Sequence, residues 1–220
     1  MLSMKNDVAI LITTFCGDPK KELKEYMTEK LCENLHNTTD YYTCLVSHSP
    51  ISQKTQQYCN SFLYDSDNRF QFDGLPDCQE SFWIAELTSI HNGLNYLKSK
   101  GFNKFIKITY DCDPTIDFNR LIQSCLSVEK PLVSAKFQNL SDAIGTFIIM
   151  SDIDLFKEVL PLEDYAKYNT FTEWLIYKSL NEKNLLHKVH LEPGYDNFFG
   201  LNINQYSFCG GKEFYREYTF

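Results

Sequence analysis

Short apolar runs alternate with amphipathic segments through the first part of the 220-residue chain. Val8–Thr13 is a continuous apolar run rich in branched side chains, which is typical of a strand buried on both faces. The next segment places an apolar residue at every fourth position, which predicts an amphipathic helix, at Leu23, Met27, Leu31 and Leu35. Tyr41–Ser47 returns to the strand pattern. The chain therefore opens β-α-β, which predicts a parallel sheet with a right-handed crossover.

The same alternation continues to Leu180. The longest amphipathic segment is Glu80–Lys100, ended by Gly101, and its stripe comprises Trp83, Leu87, Ile90, Leu94 and Leu97. Shorter helices are predicted at Ile116–Val128, at Ser151–Leu160 with Ser151 or Asp152 as its cap, and at Thr170–Leu180. Further strands are predicted at Asn60–Tyr64, Phe105–Tyr110, Pro131–Phe137 and Gly145–Met150. From Leu185 onward the pattern assigns nothing. The chain is predicted to form one α/β domain, with a mostly parallel sheet flanked by helices.

Composition narrows the class of protein. The formal net charge of −8 makes the chain a poor candidate for binding nucleic acid through phosphate neutralisation. No apolar run approaches the roughly 20 residues of a membrane-spanning helix, so no transmembrane segment is expected. The polar start at Met1–Asp7 predicts that there is no secretory leader, and we therefore expect a cytoplasmic protein with its eight cysteines reduced and mostly buried.

Candidate chemistry collects where the predicted parallel strands end. Ligands of open α/β sheets bind beyond the carboxyl ends of the strands. Four polar clusters occupy those positions: Thr13-Thr14-Phe15, Ser47-His48-Ser49, Tyr64-Asp65 and Asp111-Cys112-Asp113. These clusters are expected to converge on one edge of the sheet.

Paired aspartates two positions apart occur at Asp65/Asp67, Asp111/Asp113 and Asp152/Asp154. The last pair is expected to cap a helix, and the first pair falls in a polar loop. Asp111 and Asp113 directly follow a predicted buried strand, where both carboxylates can approach one cation. Hard oxygen ligands suit Mg²⁺ or Mn²⁺, which bridge to phosphate oxygens. A metal or diphosphate site is therefore predicted there, with a simple turn as the alternative.

The run from Trp83 to Asp113, a helix, a strand and then Tyr-Asp-Cys-Asp, resembles the centre of the GT-A glycosyltransferase fold. The opening Val-Ala-Ile-Leu-Ile-Thr-Thr-Phe is similar to that family's first strand. Leu45–Asn68 resembles small enzymes of bacterial and viral surface-glycan synthesis, and Gly145–Phe156 resembles the acceptor-side strand and helix. The likeness covers about residues 7–180.

The resemblance implies a site for a nucleotide-diphosphate sugar. It implies base and ribose contacts from Thr13, Thr14 and Phe15, and further nucleoside contacts from Ser47, His48 and Asn92. Asp111 would touch ribose or sugar and take part in catalysis, while Asp113 and Asp111 would hold Mn²⁺ or Mg²⁺. His190 is a candidate to complete the metal shell, with an ordinary strand histidine as the alternative.

The function implied is transfer of a sugar from that donor to a glycan or lipid-linked acceptor, with residues 1–113 binding the donor and 114–220 facing the acceptor. An inverting enzyme needs a carboxylate base, for which Glu173 is the candidate, although an ordinary first-turn acid is the alternative and a retaining enzyme needs no such base. A sugar nucleotidyltransferase is a second hypothesis. Its usual glycine-rich basic loop corresponds here to Cys16-Gly17-Asp18-Pro19, which lacks arginine. A non-catalytic nucleotide-sugar-binding domain is the third.

Overall fold

The structure is a computed structural model that describes residues 7–14, 21–65, 79–136, 142–160 and 172–203, with the backbone alone for 79–85. Its strands are β1 Val8–Thr14, β2 Tyr42–Ser47, β3 Ser61–Tyr64, β4 Lys104–Thr109, β5 Leu132–Ala135, β6 Ile148–Asp152 and β7 Val189–Glu192. Its α-helices are α1 Lys21–Thr38, α2 Gln53–Gln56, α3 Gln79–Ser99, α4 Phe118–Ser127, α5 Ile153–Val159 and α6 Thr172–Glu182.

One sheet contains all of these strands, in the order β3-β2-β1-β4-β6-β5-β7. β1 pairs in parallel with β2 and β4, and β2 pairs in parallel with β3. β6 is antiparallel to both β4 and β5, and β7 is parallel to β5. Every strand except β6 therefore runs in the same direction, and the predicted mostly parallel α/β fold is confirmed. The start of β6 lies at the edge where the other strands end.

Helices cover both faces of the sheet, as alternation along β1 requires. Ala9 and Leu11 pack on the face covered by α3, α5 and α6, whereas Ile10 and Ile12 pack on the face covered by α1 and α4. The predicted stripe of the long helix is confirmed for its described side chains, since Leu87, Ile90, Leu94 and Leu97 are fully buried. Gly101 ends this helix with a φ of +93°, a conformation that favours glycine.

Two predicted boundaries around β6 are wrong. The strand begins at Ile148 and continues through Asp152, because Lys104 of β4 pairs with Asp152 at its far end. The following helix consequently begins at Ile153. Asp152 occupies the cap position but makes no side-chain capping bond, and its carboxylate instead lies 3.9 Å from Lys104 Nζ.

The C-terminal part of the described chain adds structure that the sequence pattern did not predict. β7 pairs with β5 at the sheet edge and all of its residues are half-buried. Tyr195 follows in a short 3-10 turn, and its ring packs against Phe147. Gly145 lies against the same ring, and a Cβ at Gly145 would come 2.5 Å from the Tyr195 hydroxyl.

The five cysteines that the structure describes, Cys32, Cys44, Cys59, Cys112 and Cys125, are free thiols, and all but Cys59 are buried. Within the residues that the structure describes, no helix is long and apolar enough to cross a bilayer.

Candidate functional site

The ends of β1, β2, β3 and β4 meet at one edge of the sheet, which we call the carboxyl edge. Thr14 is paired with Ser47, and Ser47 with Tyr64. The chain leaving β3 stays close, because the Asp65 N–H donates to the Ser47 carbonyl at 2.9 Å. The chain leaving β4 does the same, since the Tyr110 N–H donates to the Thr13 carbonyl at 3.3 Å. The predicted convergence of the polar clusters is confirmed for their described residues, whereas Phe15 lies outside them.

A hydrogen-bonded group joins α3 to the ends of β2 and β3. His48 Nε2 lies 2.6 Å from Ser89 Oγ on α3, and its Nδ1 lies 3.2 Å from the Asp65 carbonyl oxygen. Asn92, one helical turn beyond Ser89, donates from Nδ2 to Asp65 Oδ2 at 2.9 Å. The structure thus brings together the predicted nucleotide contacts His48 and Asn92 with Asp65 of the Tyr64-Asp65 cluster, and it adds Ser89 as a further partner.

Hydroxyl groups along the carboxyl edge are partly engaged inside the protein. Thr14 Oγ1 lies 2.9 Å from Thr28 Oγ1, and Ser47 Oγ donates to the Ser49 carbonyl at 2.7 Å. Thr13 Oγ1 is buried without a hydrogen-bond partner among the described residues. The hydroxyls of Thr14 and Ser47 therefore form hydrogen bonds within the protein at this edge.

The Asp111-Cys112-Asp113 segment follows β4 at the centre of the carboxyl edge. Asp111 is only 9% exposed and Cys112 is fully buried. Burial, reinforced by the two neighbouring aspartates, holds the pKa of the Cys112 thiol well above its usual range, so this residue stays a neutral packing group. Asp113 Oδ1 accepts from both the N–H of Thr115 at 2.8 Å and its hydroxyl at 2.7 Å. Those bonds turn the chain and fix the carboxylate.

The donor chemistry of this segment fits a hard divalent cation. Mg²⁺ is commonly held by one or two carboxylates together with substrate phosphates, rather than by a full protein cage. In the described parts of the chain, no group of three or more His, Cys, Asp or Glu side chains is arranged around a common metal position. Asp111 and Asp113 thus match a cation that would share its ligands with a bound diphosphate.

His190 does not join the two aspartates. His190 lies on β7, which is the third strand beyond β4 in the sheet. At ordinary strand spacing the axes of β4 and β7 are therefore about 14 Å apart. Its Nε2 is 2.7 Å from Glu192 Oε1, and its ring stacks on Phe199 with centroids 5.7 Å apart. The prediction that His190 completes the metal shell is corrected accordingly. Its side chain is held on β7 by Glu192 and Phe199, away from the two aspartates.

Glu173 reaches the same edge from the first turn of α6. Thr146 Oγ1 donates to Glu173 Oε1 at 2.9 Å, and Thr146 leads into β6 where the Thr109 N–H donates to the Phe147 carbonyl at 3.1 Å. Burial, followed by the charge of Glu86, raises the pKa of the Glu173 carboxyl. A partly buried carboxyl with a raised pKa suits proton transfer.

Lys107 and Glu86 lie close to Thr146 and Glu173, and neither was among the predicted site residues. Lys107 is fully buried in the middle of β4, where its ammonium forms an ion pair with Glu86 of α3 and donates to the Thr146 carbonyl at 2.7 Å. The sequence carried a signal for it, namely a lysine inside the strand Phe-Ile-Lys-Ile. A charge there requires a buried partner.

Comparison with known proteins supports the fold. No family model matches the chain, and neither does any curated protein. A solved glycosyltransferase involved in glycosylation of the major capsid of PBCV-1 matches with 15% identity and a TM-score of 0.51, over 85% of this chain and 82% of that one. The 4-diphosphocytidyl-2C-methyl-D-erythritol synthase of Anaerococcus prevotii matches with 13% identity and a TM-score of 0.53, over 87% and 89%.

A third solved structure, core-mannan synthase A of Aspergillus fumigatus in its Mn/GDP form, matches with 9% identity and a TM-score of 0.51, over 87% of this chain and 74% of that one. At these identities the likenesses show the fold. The resemblance to GT-A nucleotide-diphosphate-sugar transferases is confirmed at that level, and the fold is one that glycosyltransferases share with cytidylyltransferases.

Proposed function

We propose that this protein transfers a sugar from a nucleotide-diphosphate sugar to a glycan or lipid-linked acceptor. The observation that carries the proposal is the meeting of three groups at one sheet edge. These are the His48 cluster at β2, the Asp111-Asp113 segment at β4, and the carboxyl of Glu173. Residues 1–113 would bind the donor, and 114–220 would face the acceptor.

The donor would lie across the ends of β1 and β2, with its diphosphate toward β4. Ligands of open α/β sheets occupy this crevice. Asn92 and His48 fix the Asp65 segment beside β2, so this part of the edge would be organised before a nucleotide arrives. Asp111 would contact the ribose or sugar. Mg²⁺ or Mn²⁺ held by Asp111 and Asp113 would offset the charge of the departing diphosphate.

Glu173 is the proposed base of an inverting reaction. Its carboxylate would take the proton of the acceptor hydroxyl as that oxygen bonds the anomeric carbon and the nucleoside diphosphate leaves. The neighbouring residue Trp174 is 37% exposed, with Lys178 Nζ lying 5.0 Å from its ring centroid. An exposed indole beside the base offers a stacking surface for an acceptor sugar.

Nucleotidyl transfer to a sugar phosphate is the second candidate, because a cytidylyltransferase-type synthase shares the fold at a TM-score of 0.53. The two reactions release different products. A glycosyltransferase releases a nucleoside diphosphate from a nucleotide sugar, whereas a nucleotidyltransferase releases pyrophosphate from a nucleoside triphosphate.

The first test is thermal stabilisation of the full chain by UDP, GDP, CMP and dTDP compounds, each with and without Mn²⁺. A stabilisation that requires metal and one particular base supports the donor site. Incubation with the matching nucleotide sugar should then release the diphosphate. Release of pyrophosphate from the matching triphosphate and a sugar phosphate would favour the second candidate. Absence of any stabilisation would count against both.

A further inference from the structure

Lys107 lies on the central strand of the sheet, and its charged side chain has no solvent exposure. Such a charge is costly to bury unless it is paired and hydrogen-bonded. Here it is both, through the Glu86 carboxylate and the Thr146 carbonyl. Its neighbours on the same face of β4 differ in kind: Phe105 packs in the apolar core, and Thr109 lies at the carboxyl edge. Lys107 therefore separates the core from the proposed site.

The contacts of Lys107 lead to Glu173. The Thr146 carbonyl accepts from Lys107, and the hydroxyl of the same Thr146 donates to Glu173. The backbone repeats this connection, since the Ile144 N–H donates to the Glu173 carbonyl at 3.0 Å. Segment 144–146 is thus tied to Lys107 on one side and to the first turn of α6 on the other.

We propose that Lys107 and Glu86 are positioning residues for Glu173, so that the ion pair between buried Lys107 and half-buried Glu86, acting through Thr146, sets the orientation and proton affinity of the Glu173 carboxyl. The proposal rests on the proposed function, in which Glu173 receives the acceptor proton. Lys107 holds the Thr146 peptide in place, and its positive charge favours ionised Glu173. Glu86 supplies a negative charge beside the ammonium, which favours the protonated form.

Two charged side chains, on α3 and β4, act on the Glu173 carboxyl. Glu86 of α3 raises the pKa of the Glu173 carboxyl, and Lys107 of β4 lowers it, both acting in addition to burial. Tyr195 faces the same region with a hydroxyl whose pKa is raised by burial, and that hydroxyl donates to the Ile148 carbonyl at 3.1 Å. The helix α5 also packs on α6, but its Asp154 and Lys157 bond Lys98 and Asn95 respectively, and its Glu158 is exposed.

The test is a titration of Glu173 in the free protein. The full chain is labelled with ¹³C-glutamate, the carboxyl resonance of Glu173 is assigned by its loss in Glu173→Gln, and its shift is followed against pH. Glu86→Gln should move the Glu173 titration to lower pH, and Lys107→Met should move it to higher pH. The control is Lys104→Met, which removes an exposed lysine of the same strand whose Nζ lies 3.9 Å from Asp152. It should leave the titration in place.

Lys107→Met leaves Glu86 without its counter-ion, so the double variant Glu86→Gln/Lys107→Met, which has no unpaired charge, is measured beside it. Its Glu173 titration should move to lower pH, because the effect of Glu86 is the larger of the two. In Thr146→Val the Glu173 titration should also change, because the hydroxyl donor is lost. An unchanged titration in folded Glu86→Gln and in the double variant would overturn the proposal.

Turnover supplies the second measurement. Glu86→Gln and Thr146→Val should shift the acid limb of the kcat–pH profile in the direction of the Glu173 titration and lower kcat by about tenfold to a hundredfold, with the donor KM little changed. The titration needs no substrate. A responsive titration in a protein that binds no nucleotide would therefore reject the proposed function alone, and nucleotide turnover with an unresponsive titration would reject the positioning role alone.

Discussion

Ser89 Oγ lies 2.6 Å from His48 Nε2 and so joins the middle of α3 to the end of β2. Ser89 is 1% exposed, and the His48 side chain is 4% exposed. A hydrogen bond between such buried groups fixes where the helix sits over the carboxyl edge. It also explains how a histidine that follows a strand keeps one ring orientation.

Ser89→Ala should lower the free energy of unfolding by about 1–3 kcal/mol, because a buried hydrogen bond is lost, and should also weaken nucleotide binding. The matched control is Ser99→Ala on the same helix, where an exposed hydroxyl donates to the Tyr96 carbonyl at 2.7 Å. Urea denaturation and nucleotide titration of both variants test this. Equal stability of the two variants would show that the His48 contact contributes little.

Asp113→Asn should abolish the metal-dependent part of nucleotide binding and leave the fold intact, since it removes one of the two carboxylates at the end of β4. Asp152→Asn is the control, because Asp152 belongs to the same kind of aspartate pair but lies at the opposite edge of the sheet, paired with Lys104. Calorimetric titration with nucleotide and Mn²⁺ measures the effect. Metal-dependent affinity that survives in Asp113→Asn would remove the metal assignment.

The regular half of the fold could be predicted from sequence because its periodicity is local. A buried strand such as Val8–Thr14 and a long helix such as Gln79–Ser99 each carry their own apolar pattern. The reversal of β6 and the addition of β7 could not be predicted in this way. Strand direction depends on which strands pair, and the four half-buried residues of β7 are too few to show a period.

The residues of the candidate site likewise fall into those that could be predicted from sequence and those that could not. Residues that follow a strand, such as His48 and Asp111, could be placed from topology alone, because parallel strands end together. Glu86 and Ser89 could not be placed in this way. The partner of a polar residue on a long helix depends on which strand that part of the helix packs against, and the helical pattern does not show this. His190 was misplaced for a related reason: its strand was not recognised, so nothing in the pattern kept it away from β4.

Gly145→Ala should destabilise the protein by about 1–3 kcal/mol through overpacking. The new methyl group would lie 2.5–2.8 Å from three atoms of the Tyr195 ring and hydroxyl, and that hydroxyl is held by Ser134 and Ile148. The cost should be much smaller in a Tyr195→Leu background, which removes the ring. Chemical denaturation of the four proteins of this double-mutant cycle measures the coupling. Additive effects would mean that the clash is relieved elsewhere.

Burial and the charge of Glu86 raise the pKa of Glu173 above 4.5 in the folded protein, which makes stability depend on pH with a definite sign. The folded state holds the Glu173 proton more tightly than the unfolded chain does. The stability that this proton contributes is fully present below the unfolded-state pKa and is lost as pH rises through the folded-state pKa.

Glu173→Gln should therefore gain stability relative to the wild type as pH rises above 4.5, because glutamine keeps an acceptor for the Thr146 hydroxyl but never ionises. Between the two pKa values the difference should grow by as much as about 1.4 kcal/mol per pH unit and then level off. The control is Glu182→Gln at the exposed end of the same helix, which lies 3.8 Å from Lys178. Urea denaturation of the three proteins across pH 4–8 gives the comparison. If the wild type and Glu173→Gln keep a constant difference across that range, Glu173 is an ordinary first-turn acid. If the difference widens, the surroundings raise the proton affinity of the carboxyl, which makes its ionised form a stronger base for the acceptor hydroxyl.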